Sequence, residues 1–169
     1  KKLIKAKKEN KLPKVVIPVH FAGYPSDMEK IFNLSKKFKF KIIEDASHAL
    51  GSIYKKNKIG NCKFSEATIF SFHPVKIITT GEGGAIMTNN KQLNLKLKSL
   101  RSHGIIKNYI NKKKVIRDKP WIFFQKDLGL NYRLTDIQAS LGTSQLKKLN
   151  RFTRNRNDIA KIYNRELMG

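Results

Sequence analysis

The chain is short of acid, of sulfur and of long apolar runs. Only 12 of its 169 residues are Asp or Glu, against 36 Lys or Arg, and Cys62 is its one cysteine. A single thiol closes no internal disulfide and builds no cysteine-based zinc cage, so neither device staples this chain. A reducing, cytoplasmic setting is the expected one. No apolar run approaches the ~20 residues of a membrane-spanning helix, so no membrane partner is expected. The basic start, Lys1 to Glu9, lacks the apolar stretch of a signal peptide and reads as an amphipathic helix already under way. His20, His48, His73 and His103 include no pair at the spacing of a helical metal site, and no metal is expected.

The imbalance leaves a formal charge of +24. Such a charge raises the question of a nucleic-acid partner. The lysines, however, are scattered along the chain. There is no zinc-finger spacing, no RNP-type aromatic strand and no basic region leading into heptads. We read them as solvated faces and expect no nucleic-acid partner, keeping a basic nucleic-acid-binding module as a rival. Hydrophobic residues at 40% and aromatics at 9% suffice for a core and argue against disorder.

The apolar patterning predicts an α/β chain. Val15 to His20 reads as a short buried strand and Phe21 to Pro25 as a turn. Ser26 with Glu29 forms a capping-box pattern ahead of a helix carrying Ile31, Leu34 and Phe38. Phe40 to Glu44 follows as a second strand, which makes a β-α-β unit with parallel strands. Ser47 to Gly60 reads as a hairpin-like stretch anchored by Tyr54 and Ile59. Ala67–Phe72 and Gly84–Thr88 read as strands. Asn89 or Asn90 caps a helix with Leu93, Leu97 and Leu100, and Gly104 to Lys126 reads as a long loop. Thr135 with Gln138 opens a helix striped by Ile137, Leu141, Gln145 and Leu149. A last helix from Asn150 offers Phe152, Ile159, Ile162 and Tyr163 as buried positions. Neither terminus carries the marks of a domain end, and the chain reads as a fragment.

Two positions suggest chemistry. Asp45 ends a strand, where ligands gather in open parallel sheets. Lys76 lies just past another, between Val75 and Ile77 and before the turn Gly81-Glu82-Gly83-Gly84. A lysine able to form a Schiff base and an acid able to hold a pyridinium proton are what pyridoxal phosphate chemistry asks of a protein. Asp45 is equally a turn-capping residue, and Lys76 is one of many basic residues. Ser71 is either a phosphate ligand or a strand serine bonded to backbone. His48 either contacts a cofactor oxygen or is a satisfied half-buried histidine. Asn131-Tyr132-Arg133 either meets an anion or punctuates a helix start. Cys62, between Asn61 and Lys63 in a turn, has no mark of a nucleophile.

Five stretches, in order, carry a resemblance: Val19-His20 to Met28; Glu44-Asp45-Ala46-Ser47-His48-Ala49; Ser71-Phe72-His73-Pro74-Val75-Lys76 to Gly84; Arg101 to Gly104; and Leu128 to Gln138. The chain resembles the DegT–StrS family of pyridoxal-phosphate-dependent sugar aminotransferases. The resemblance implies residues 1–169 are the central part of the large domain of the type I aminotransferase fold. That part is a mostly parallel sheet with flanking helices, lacking the start of the domain and a smaller C-terminal domain. It implies that Lys76 carries the cofactor covalently and shuttles protons, and that Asp45 pairs with the ring nitrogen. His48 would sit beside the ring, Ser71 near the phosphate, and Asn131 in the neighbouring subunit's site of a homodimer. The substrates implied are a nucleotide-linked keto sugar and an amino donor, usually L-glutamate. Pro120 to Gly129 and Leu141 to Leu149 point to a branch that aminates C4 of a UDP-linked 4-keto-6-deoxy amino sugar for surface or flagellar glycans. A non-catalytic relative acting as sensor or regulator is the other rival. Isolated, this piece is expected to be inactive and poorly soluble.

Overall fold

The computed structural model describes residues 1–105 and 121–167. Most of the loop expected over Gly104 to Lys126 therefore lies outside the described residues. The chain divides into two compact units, one of Lys1–Asn89 with Asp136–Gly169, the other of Asn90–Thr135.

The first unit begins with helix α1 (Lys2–Lys8), strand β1 (Val15–Val16) and helix α2 (Met28–Phe38). Strands β2 (Lys41–Asp45), β3 (Ile53–Tyr54), β4 (Asn57–Lys58), β5 (Ala67–Ser71) and β6 (Gly84–Met87) follow. Four strands form one sheet in the order β1-β2-β5-β6, and β3-β4 form a separate hairpin. β1 pairs with β2 and β2 with β5 in parallel, whereas β6 runs antiparallel to β5. The sheet is mixed because residues 72–83, which join β5 to β6, form no helix to cross over the sheet and instead return the chain beside itself as an antiparallel neighbour. The sheet and its helices have the α/β architecture expected.

β2 lies between β1 and β5, and its side chains alternate sharply. Ile42 and Glu44 are buried while Ile43 and Asp45 face the other side, half-buried. The main apolar cluster joins Met28, Phe38, Phe40 and Ile42, with Ile31, Phe32 and Tyr54 packed against it. Each such side chain removed from water contributes about 1.5–3 kcal/mol. A second cluster, Ala46, Ala49, Ile59 and Phe70, lies under the hairpin, so Tyr54 and Ile59 do anchor it.

Three local expectations are corrected. The first strand is only two residues long, with one further bridge from Val19 to Asp45, and Val15, Ile17 and Val19 are exposed rather than buried. Pro18 interrupts the ladder there, and β1 is an edge strand of the described sheet. Helix α2 is capped by Asp27, whose Oδ1 accepts the Lys30 N–H at 3.4 Å. Ser26 instead donates its hydroxyl to the Val19 carbonyl. The last helices, α4 (Asp136–Leu146) and α5 (Leu149–Leu167), form where expected, except that Leu149 opens the second rather than closing the first; Ile159, Ile162 and Tyr163, expected to be buried, are exposed. Only the first turns of α5 are seated closely, with Leu149 and Thr153 against Gly51.

The second unit is built around α3 (Lys91–Leu100), capped by Asn90, whose Oδ1 accepts the N–H groups of Gln92 and Leu93 at 3.0 Å each. Its return segment pairs Leu130 with Leu100 and His103, and Tyr132 with Arg101, through backbone bonds. Lys96 and Asp127 add an ion pair at 2.7 Å. Among the described residues no helix is long and apolar enough to cross a membrane.

Candidate cofactor site

β2 and β5 are parallel neighbours, so Asp45 and Ser71 arrive at the same edge of the sheet, the carboxyl ends of both strands. Asp45 ends β2 in a tight turn, its Oδ1 accepting the Ser47 N–H at 3.0 Å. Hydrogen bonds from Ser47 are the main reason its carboxyl lies below the usual carboxylate range. Burial opposes them, and the electrostatic effects of His48 and Lys76, each smaller than that of burial, push the same way as Ser47. The turn-capping role and the nearness to Lys76 therefore hold together in one residue.

Lys76 is presented by the turn between β5 and β6. That turn is closed at its base by Phe72, whose N–H donates to Gly83 and whose carbonyl accepts from the Thr80 N–H and the Thr79 hydroxyl. Within it, the Lys76 N–H donates to the His73 carbonyl at 2.9 Å, and the Val75 N–H to His73 Nδ1 at 3.3 Å. Gly81 takes the left-handed conformation (φ 80°) that lets the chain double back. Gln138 of α4 fastens the far side of the turn, donating to the Glu82 carbonyl at 3.1 Å. The flank of Lys76 is less apolar in space than in sequence, because Val75 is 74% exposed.

Lys76 and His48 line one cleft of about 420 Å³, together with Ser52, Thr153, Arg156 and Asn157. His48 is half-buried. Its Nδ1 accepts the Ala22 N–H at 3.3 Å, which leaves Nε2 as the proton-bearing nitrogen of the neutral ring. The Phe21 ring meets it edge-on at 5.9 Å. Ser71 Oγ accepts the His73 N–H at 3.4 Å, a backbone bond of the kind its plainer reading calls for. Asn131 lies in the second unit, exposed and bridged to Ser102. Cys62 is buried, within 3.1 Å of the Met87 carbonyl.

Two features escaped the sequence reading. Helix α5 brings Thr153, Arg156 and Asn157 to the cleft; polar residues at i, i+3 and i+4 on a helix were the available signal. The second is a polar cluster behind Asp45. His20 and Glu44 are bonded at 2.8 Å, with His20 fully buried and Glu44 4% exposed. Nothing local in the sequence marks this pair.

The whole chain, residues 1–169, matches the model of the DegT/DnrJ/EryC1/StrS aminotransferase family. The chain belongs to this family. It is 47% identical over 148 residues to the UDP-4-amino-4,6-dideoxy-N-acetyl-beta-L-altrosamine transaminase of Campylobacter jejuni, covering 88% of this chain and 36% of that protein. Among solved structures, Helicobacter pylori PseC, an aminotransferase involved in the biosynthesis of pseudoaminic acid, superposes with a TM-score of 0.83 at 39% identity. That match covers 98% of this chain and 41% of PseC. The PLP-form of the sugar aminotransferase Spr1654 from Streptococcus pneumoniae gives a TM-score of 0.76 at 29% identity, over 92% of this chain and 42% of that one. The DegT/StrS chain described here thus spans roughly two fifths of the length of these relatives, and its fold is that of the type I aminotransferases.

Proposed function

We propose that this chain is the cofactor-holding part of a pyridoxal-phosphate-dependent aminotransferase that aminates the keto group of a nucleotide-linked sugar. The observation that carries the reading is electrostatic and spatial together. Lys76 and His48 line one cleft, and the Asp45 carboxylate is held in its ionised form chiefly by hydrogen bonds from Ser47, with a smaller contribution from the charge of Lys76.

The residues fit the cofactor. Its aldehyde needs an amine, its ring nitrogen an ionised acid, and its phosphate hydroxyl or N–H donors. Lys76, Asp45 and Ser71 are of those types at one end of the sheet. When bound, pyridoxal phosphate supplies an electron sink for charge developing beside the transferred nitrogen. The protein's part follows from its own groups. Lys76 holds the cofactor covalently and moves a proton at Nζ. Asp45 keeps the ring nitrogen positively charged. His48, with its proton on Nε2, donates toward the ring oxygen. Asn131 serves the site of a second subunit in a homodimer.

The finer reading takes a UDP-linked 4-keto-6-deoxy amino sugar as substrate and L-glutamate as donor. The product then enters surface or flagellar glycans made from the cytoplasm. The identity to the Campylobacter enzyme favours that sugar. The test uses the full-length protein and its Lys76→Ala variant with added pyridoxal phosphate. A visible band in the wild type, fixed by borohydride as an adduct on the Lys76 peptide and absent from the variant, supports the reading. No band, or the same band in both, overturns it.

A further inference from the structure

Behind the candidate site lies a polar cluster that the proposed chemistry does not use. The His20 side chain is fully buried. Its Nδ1 accepts the Ser26 N–H at 3.1 Å, so the ring proton sits on Nε2, which donates to Glu44 Oε2 at 2.8 Å. The other Glu44 oxygen accepts from the hydroxyls of Ser65 and Thr68. Every polar atom of the imidazole and both carboxylate oxygens are thus satisfied, as burial demands. Packed apolar side chains of like volume stabilise a core as well as a buried polar pair does, or better. The hydrogen bonds add a fixed geometry.

That geometry reaches both partners of Lys76. On one side, the His20 N–H donates to the Asp45 carbonyl at 2.9 Å, and the Asp45 N–H donates to the Pro18 carbonyl at 2.9 Å. Glu44, the residue before Asp45, is the imidazole's own acceptor. On the other side, the bond from Ser26 to the ring closes the loop of residues 20–26. At its tip Ala22 holds a left-handed conformation (φ 51°), unusual for alanine, and donates its N–H to His48 Nδ1. The His20 backbone therefore bonds the backbone of Asp45 directly, while its buried ring holds Glu44, the residue before Asp45, and closes the loop that carries the donor to His48.

We propose that His20, held by Glu44, is a positioning residue that sets Asp45 and His48 together for a bound pyridine ring. This inference rests on the cofactor reading above. The Glu44 side chain leaves β2 on the face opposite Asp45 and fastens the end of that strand to the imidazole, so loosening the pair lets the end of β2 and the 20–26 loop drift apart. The consequence is a weaker grip on the cofactor and a ring nitrogen less well matched to its carboxylate.

The test uses the full-length protein with His20→Gln and Glu44→Gln, two near-isosteric changes. His20→Gln keeps a donor toward Glu44 and loses the acceptor for Ser26; Glu44→Gln keeps the volume and loses the charge. Pyridoxal phosphate affinity is read by titrating the visible band, the band's pH dependence by spectrophotometry, and stability by thermal unfolding of the cofactor-free protein. The expected result is a rise in the cofactor dissociation constant of about tenfold in each variant. The band's pH midpoint should shift as well, in cofactor-free proteins that still unfold cooperatively. Wild-type affinity and pH midpoint in both variants, whatever their unfolding temperature, would show a purely structural pair and overturn the inference alone. So would failure of both variants to fold. A wild type with no band at all overturns the cofactor reading and this inference with it.

Discussion

Asp45 Oδ1 accepts the backbone N–H of Ser47 at 3.0 Å. The bond makes the carboxylate part of the turn that ends β2, and it leaves one oxygen fixed before any ligand arrives. Asparagine offers the same Oδ1 acceptor without the charge. Asp45→Asn should therefore keep the turn and the fold. It should lower transamination by the full-length protein on the order of 100-fold, the scale of losing one preorganised electrostatic partner. Cofactor titration and steady-state rates check this. A variant within threefold of wild type in both would remove Asp45 from the site.

Glu44 makes a stability prediction with a definite sign. Burial alone raises its pKa, but hydrogen bonds from His20, Ser65 and Thr68 outweigh it, and the carboxyl lies below its ordinary 4.5. A depressed folded-state pKa contributes stability that is present above the unfolded value and lost as pH falls through the folded one. The urea midpoint of the full-length protein should fall as pH is lowered below about 4.5. The gap between wild type and Glu44→Gln should narrow over the same window. A gap that is constant from pH 7 to 3 contradicts the hydrogen-bonded carboxylate described here.

The parts of the fold legible in the sequence are those whose pattern is local. The Phe40–Glu44 run, the Ala67–Phe72 run and the leucines of α3 each announce their own element, and the structure agrees within a residue or two. The sequence pattern marks Ser26 as the cap of α2 because Ser26 and Asp27 are both good cap residues and adjacent, but the Ser26 hydroxyl is used on the Val19 carbonyl. A distant group, His20 Nδ1, takes up the Ser26 N–H and leaves the cap to Asp27. The pairing of His20 with Glu44, 24 positions apart, depends on the register of two strands that periodicity does not supply. The likeness of Asp45 and Lys76 to a cofactor pair came from the motif around each. Their spacing carries no such signal, and the turn that brings them near is held by Phe72, Thr79 and Thr80 through backbone bonds. The stripe of α5 predicted its helix correctly but not burial, since a stripe shows which face is apolar and not what lies against it, while α4 formed with no apolar face at all.

Gly60 offers a packing test close to the second apolar cluster. Its φ is 99°, and a Cβ there would stand 2.8 Å from Phe70 Cε2. Phe70 is 6% exposed and has little room to give. Gly60→Ala should destabilise the full-length protein by about 1–3 kcal/mol, from the strained φ and the crowded ring together. Adding Phe70→Leu should recover the crowding part only, so the double variant loses less than the sum of the singles. Urea unfolding of the four proteins reads this directly, and strict additivity would show that the ring is not what Gly60 accommodates.

Cys62 makes the last prediction. The thiol donates to the Met87 carbonyl at 3.1 Å, lies 3.4 Å from the Thr68 hydroxyl, and is 7% exposed. Thr68 in turn donates to Glu44, so the sulfur sits at the end of the polar cluster behind Asp45. A thiol so placed reacts only when the strand pair β5–β6 opens. In the native full-length protein its alkylation, followed by mass spectrometry of the Cys62 peptide, should be at least ~100-fold slower than in the unfolded chain, because opening costs several kcal/mol. Mild urea should speed it in step with loss of the fold. Rapid alkylation of the folded protein would mean that the contacts of Cys62 with Met87 and Thr68, at the end of the β5–β6 pair away from Lys76, are not held as described.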